Sequence, residues 1–241
     1  MIKFFRKIRY DLMEKNKTRK YFKYAIGEIV LVVIGILIAL SINNWNENRK
    51  LHNVELSLLL EVKSNLEDTL NSFKNDTLIN RNSILQFRKI EHYIDEDLPY
   101  NTELNAAFGG IEDWQSPYPI TTAYTTLKTK GLDIISNLPL RNKIVNMYEF
   151  ELIILINDYD KGEWSNLQAF NPFIYKHISS RNSKQAAAPN DFESLKINKQ
   201  FSNILGKIIS QREAGLFFYK EAMISIEELI KHLDKELISR K

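Results

Sequence analysis

The segment AIGEIVLVVIGILIALSI, residues 25–42, constrains this chain more than any other: it is nearly all apolar and follows a stretch dense in Lys and Arg. As a helix rising 1.5 Å per residue it is roughly 27 Å long, close to the ~30 Å of hydrocarbon a spanning helix must cross. One pass through a bilayer is physically sufficient. The sequence therefore predicts an all-α protein: a basic cytoplasmic segment over residues 1–24, one N-terminal transmembrane helix over 25–42, and an extracytoplasmic helical domain over 43–241. The outer domain is expected to be an elongated helical bundle with two long helices.

Charge sets the expected orientation. Residues 1–24 carry nine Lys or Arg against Asp11 and Glu14, whereas residues 43–53 carry only Arg49 and Lys50 against Glu47. Cationic flanks resist translocation and meet anionic lipid on the cytoplasmic side, so the N-terminus is expected in the cytoplasm and everything after Trp45 outside it. That places the chain in a cell inner membrane with a periplasmic C-terminal domain. Tyr21, Tyr24 and Trp45 fall where membrane-interface anchors sit. The whole chain is only +3, so the exported part is net negative and offers no footprint for nucleic acid. A rival reading is a cleaved signal peptide, since Ile29 to Leu40 has the length of an apolar signal core and Ala39, Leu40, Ser41 resembles a small-x-small cleavage site.

Before the apolar run, Ile2, Phe5, Ile8 and Leu12 recur at helical spacing among basic residues. That pattern suits a helix lying in the membrane interface; an unstructured basic tail is the alternative. Within the run, Glu28 is an ionisable group in an apolar helix, one turn from the cytoplasmic end, where a side chain can snorkel to the headgroups. Gly35, Ala39 and Asn46 project within roughly 20° of Glu28 at 100° per residue. Glu28, Gly35 and Ala39 thus form a candidate helix-pairing face, small enough to admit a second helix. Snorkelling alone is the competing account.

The run YFKYAIGEIVLVVIGILIALSINNWNE, its MIKFFRKIRYDLMEKNK lead, and the later AYTTLKTKGLDIISNLPLRNKIVNMYE and FSNILGKIISQREAGLFFYKEAM resemble a bacterial domain-of-unknown-function family of single-pass membrane proteins. The resemblance implies a Gram-negative envelope protein with a mainly helical outer domain. It supplies no catalytic residues.

From Asn43 to Ile94 there is neither Gly nor Pro, and Leu51, Leu58, Val62, Leu66, Leu70, Phe73, Thr77, Ile84, Phe87 and Ile94 recur mostly at three, four or seven. This predicts a long amphipathic helix. It either grows out of the anchor or is interrupted at NNWNEN, where Asn competes for backbone hydrogen bonds. The second long helix is marked by Phe201, Leu205, Ile208, Arg212, Gly215, Tyr219, Ala222, Ile226, Ile230, Leu233 and Leu237, an alternating three/four seam. Between them, Thr121 to Lys130 reads as a short helix stopped by Gly131, although its five threonines also suit a strand. Another helix is expected from Leu138, capped by Ser136 or Asn137, with Pro139 in its first turn. It should bury Ile144, Met147, Tyr148, Leu152, Leu155 and Tyr159 and end or kink before Pro172. Residues 180–191 have the composition of a mobile loop.

Reaction chemistry finds no sequence signature. The four histidines are scattered and Glu228/His232 is spaced i, i+4, so no Glu-x-x-His di-iron pair exists. Zincin, nucleophile-elbow and phosphate-loop motifs are absent. With no cysteine, disulfides and thiolate metal sites are excluded. No cofactor is expected, and no enzyme. Trp114, Tyr118 and Tyr124, gathered among Gly and Pro in FGGIEDWQSPYPITTAY, form a candidate partner or ligand loop; a cap over the bundle end is the structural alternative. Expected partners are the lipid bilayer and a homo- or hetero-oligomer formed through the anchor and bundle. The leading functional expectation is a noncatalytic interaction or scaffold module presented at the inner membrane. A periplasmic ligand-sensing domain that signals through a partner membrane protein is the alternative.

Overall fold

The computed structural model describes residues 10, 18–180, 182, 184 and 186–240; side chains of residues 18–21 and 24 are outside the description. The amphipathic reading of Ile2, Phe5, Ile8 and Leu12 lies outside the described residues, as do the Tyr21 and Tyr24 side chains. The described chain is mainly helical, with no strand beyond one isolated bridge between Ile178 and Pro189. It divides into two compact units, Met1–Glu55 and Leu56–Lys241.

The first helix, α1, runs Thr18–Asp95 without a break, and the boundary between the units falls inside it. Here the structure takes the first of the two courses the sequence left open and removes the helix boundary expected at residue 42. The predicted anchor and the first long bundle helix are one continuous element, and NNWNEN does not interrupt it. The four asparagines cost only tenths of a kcal/mol each in helix propensity, and no Gly or Pro stands nearby to break the ladder. In the first unit, every large apolar side chain from Ile26 to Ile42 stands 47–63% exposed. This helix is long and apolar enough to cross a membrane, and its most apolar window is not buried at all within the protein.

In the second unit, α1 continues with Leu58, Leu59, Val62, Leu66, Phe73, Phe87 and Ile90 buried. Two short turns follow: a 3₁₀ turn, Thr102–Leu104, then α2, Asn105–Gly109. The next helix, α3, Thr122–Lys130, stops at Gly131, whose φ of 103° lies where a Cβ is disfavoured. Helix α4, Leu138–Asn146, is capped by Asn137, whose side chain accepts from the Leu140 N–H at 3.1 Å. The chain then winds through a π segment, Met147–Glu151, a single turn α5, Leu152–Ile154, a second π segment, Leu155–Asp160, and α6, Lys161–His177. All six residues expected to be buried along this stretch are buried. Of the two outcomes expected before Pro172, an end or a kink, the end does not occur. The helix continues to His177, giving up the bond to the Gln168 carbonyl, because Phe173 and Ile174 beyond the proline are buried in the core.

The expected mobile loop is also tied down where it is described: Ser179 N–H bonds Ala188 O at 2.8 Å, Asn190 N–H bonds His177 O at 2.8 Å, and Ala187 N–H bonds Asn105 O at 3.0 Å. After the short α7, Phe192–Lys196, the last helix, α8, runs Lys199–Ser239 and buries the predicted seam apart from the half-buried Ile230 and Leu237. Two hydrophobic clusters result. One gathers Leu58 to Phe73, Leu140 to Tyr159 and Tyr219 to Leu233; the other gathers Ile84 to Ile90, Phe173 to Ile178 and Phe201 to Ile209.

Candidate functional site

On each of α1, the α4–α6 stretch and α8, the residues separating the two hydrophobic clusters are polar and buried. From α1 come Asp76 and Asn80, from α6 Glu163, and from α8 Arg212, none more than 7% exposed. Arg212 is held from three directions. Its Nε donates to Glu163 Oε1 at 2.6 Å, its Nη1 donates to Ser83 Oγ at 3.1 Å, and its guanidinium lies 5.6 Å from the Phe87 ring centroid. Burial pushes the Glu163 carboxyl above the usual range, while Arg212 pulls it back. Charges this deep are tolerated only when paired and hydrogen-bonded.

One turn further along α8, Gly215 lets the Tyr159 ring press against the helix: a Cβ there would stand 2.3 Å from Tyr159 Cε2. Tyr159 is, with Leu155, an inward residue of the second π segment, and π turns frequently mark functional positions. Its ring meets Tyr219 edge-on at 5.7 Å, and Tyr219 meets Phe73 edge-on at 5.1 Å. The Tyr219 hydroxyl donates to the Gln115 carbonyl at 3.1 Å, with Asp76 Oδ2 3.5 Å away. Burial raises both phenols and the Asp76 carboxyl above their ordinary values, the Tyr219 hydrogen bond opposing the shift at Asp76. Asn80 Oδ1 accepts from Gln115 N–H at 3.1 Å, while Asn80 Nδ2 and the Tyr159 hydroxyl are buried with no hydrogen-bond partner among the described residues. The layer thus ties α1, the loop between α2 and α3, α6 and α8 together through directional bonds.

The loop residues divide. Trp114 Nε1 donates to Asp160 Oδ1 at 2.8 Å, joined there by Ser116 Oγ at 2.5 Å, and the Trp114 ring meets Trp164 edge-on at 5.1 Å. Tyr124 is buried and stacked on Tyr148 at 4.5 Å; burial and its hydrogen bond to Glu149 push its phenol up to about 12. Only Tyr118, 77% exposed, faces outward. In the first unit, Gly35 and Ala39 are exposed, with nothing within 4 Å of a Cβ placed at Gly35. Glu28 is half-buried. Trp45 is exposed, with the Arg49 guanidinium 5.2 Å from its ring.

Sequence reading placed Arg212, Gly215 and Tyr219 on the seam but missed Asp76, Asn80 and Glu163. The available signal was a polar residue at a core register position of an amphipathic helix. Elsewhere Glu228 and His232 line a groove of about 370 Å³ with Lys143, Asn146 and Glu151. Among the described residues, no group of three His, Cys, Asp or Glu is arranged to hold a metal.

Fold and site together define an all-α protein with an exposed apolar helix at one end of the sequence and a bundle crossed by a buried polar layer. The model of the Family of unknown function (DUF6090) matches residues 28–204, and the chain belongs to that family. The matched span reaches from Glu28 past Glu163 and stops before Arg212. No curated protein and no solved structure matches the chain.

Proposed function

We propose that this is a single-pass inner-membrane protein, N-terminus in the cytoplasm, whose periplasmic helical bundle serves as a noncatalytic interaction or scaffold module. One observation carries the reading: large apolar side chains stand uncovered in both units, from Ile26 to Ile42 in the first and at Leu78, Leu85, Phe217 and Ile224 in the second. Lipid is the natural cover for the first set, since ~18 apolar residues match the bilayer and the basic flank favours the cytoplasmic side. Protein is the natural cover for the second, which is interleaved with charge. The buried carboxylates support a structural role, because Glu163 is spent on Arg212 and Asp76 lies beside Tyr219 inside the bundle.

The chain has no cysteine, so single introduced thiols report topology cleanly. With the outer membrane permeabilised, Ile197→Cys should react with an impermeant maleimide and Lys3→Cys only after the inner membrane is lysed. Crosslinking from membranes should recover a defined partner or oligomer. The reverse labelling pattern, or a shortened product free in the soluble fraction, overturns the topology; a monomer that crosslinks to nothing overturns the module.

A further inference from the structure

Two helices of the second unit repeat one surface pattern. On α1, Arg81 stands between Leu78 and Leu85; on α8, Lys220 stands between Phe217 and Ile224, at the same offsets of three back and four ahead. Those offsets put each cation on the same helical face as its two apolar neighbours. Leu78, Leu85 and Phe217 are 62, 63 and 60% exposed and Ile224 43%, and both cations are exposed as well.

Ion pairs at either end hold the two faces in register. Lys74 Nζ lies 3.7 Å from Glu227 Oε1, and Arg88 Nη2 lies 3.0 Å from Glu213 Oε1. The helices therefore run antiparallel here, and residues 81 and 220 are the midpoints of 74–88 and 213–227. The flanking cations have carboxylates; the central two do not. Neither Arg81 nor Lys220 has an acidic residue three or four positions away on its own helix, and neither forms an ion pair among the described residues. Like charges set level with each other on neighbouring helices repel, and an anion between them would relieve both.

We propose that this face docks an amphipathic helix of a partner protein, one that presents a carboxylate to Arg81 and Lys220 and an apolar residue about one turn to either side. The inference rests on the interaction-module reading and names its surface and partner chemistry. A second copy fits less well, because a two-fold contact centred here would set Arg81 and Lys220 of one copy against the same two cations of the other, while Glu213 and Glu227 are already engaged by Arg88 and Lys74. An anionic membrane fits poorly too, because Glu213 and Glu227 share the face.

The test uses the full-length protein in living cells, with a benzophenone side chain introduced at residue 78, 217 or, for comparison, 197. Residues 78 and 217 should crosslink to one protein segment whose mapped peptide is helical in pattern, with Asp or Glu flanked by apolar residues at three or four positions. Arg81→Glu with Lys220→Glu should cut adduct yield at least tenfold, and Lys in place of the mapped carboxylate should restore it. Arg81→Lys with Lys220→Arg should leave the yield unchanged, and an unaltered thermal melt shows that the reversed variant folds. If it does not, Arg81→Gln with Lys220→Gln is read instead and should lower the yield severalfold. An adduct of twice the chain mass, an adduct to lipid, or a yield indifferent to charge overturns the proposal. Adducts at 197 without 78 or 217 overturn this face and leave the scaffold reading standing; no adduct at any position overturns both.

Discussion

At Gly215 the room for one carbon atom decides how closely α8 meets the π segment. A Cβ would fall 2.3 Å from a Tyr159 ring that is itself fully buried, so neither side can yield without repacking. Gly215→Ala should destabilise the protein by about 1–3 kcal/mol despite the better helix propensity of alanine. Gly206, on the same helix with nothing within 4 Å of an added Cβ, is the internal control: Gly206→Ala should stabilise by about 0.5–1 kcal/mol. Chemical denaturation of the two variants should move in opposite directions. Asp76 gives a pH signature. Because burial raises its carboxyl in the folded state, the protonated form is favoured by folding. Its contribution is fully present below the ordinary aspartate value of 3.8 and is lost as pH rises through the higher folded value. Asp76→Asn should therefore be more stable than the parent at pH 7, with the gap closing below pH ~4 in paired denaturation curves. None of this was legible residue by residue. Asp76 and Tyr219, 143 positions apart, have no local signature of their contact; only the place of Tyr219 on the α8 seam was plain from spacing.

Elements were legible where a local device writes them. Gly131 ends α3 and Asn137 opens α4, and both rest on backbone chemistry confined to a few residues. Asn137 also donates through Nδ2 to Glu236 on α8 at 2.6 Å. Asn137→Ala should thus cost about 0.5–2 kcal/mol for the lost cap, measured by thermal melt. Asn137→Ser should recover most of that cost, because serine also caps; whatever it fails to recover reports the bond to Glu236. What escaped the sequence were decisions made by packing. The π segments depend on where Met147, Leu152 and Tyr159 must point to meet α8, and a π turn differs from an α turn by one residue in register. Passage through Pro172 depends on Phe173 and Ile174 finding the second cluster. The continuity of α1 through NNWNEN follows from the lack of any breaker strong enough to offset nucleating a new helix.

For the molecule as a whole, the same α1 carries two opposite surface chemistries in sequence. Beyond Leu56 its apolar residues are largely covered by protein; between Ile26 and Ile42 they are uncovered. In water, so continuous an apolar surface would drive aggregation. In a bilayer it is matched by the hydrocarbon, and the backbone's polar groups are already satisfied within the helix. The two solvents make different demands on a single charge. A lysine at the bilayer midplane costs roughly 2.5–3.5 kcal/mol on insertion scales, while the same change on a solvated helix costs almost nothing. Val33→Lys with Ile36→Lys should therefore move the protein from the carbonate-resistant membrane fraction to the soluble or degraded pool. Leu60→Lys, at a position 55% exposed in the second unit, should leave fractionation unchanged. Equal fractionation of both variants would mean that the apolar stretch is covered by something other than lipid.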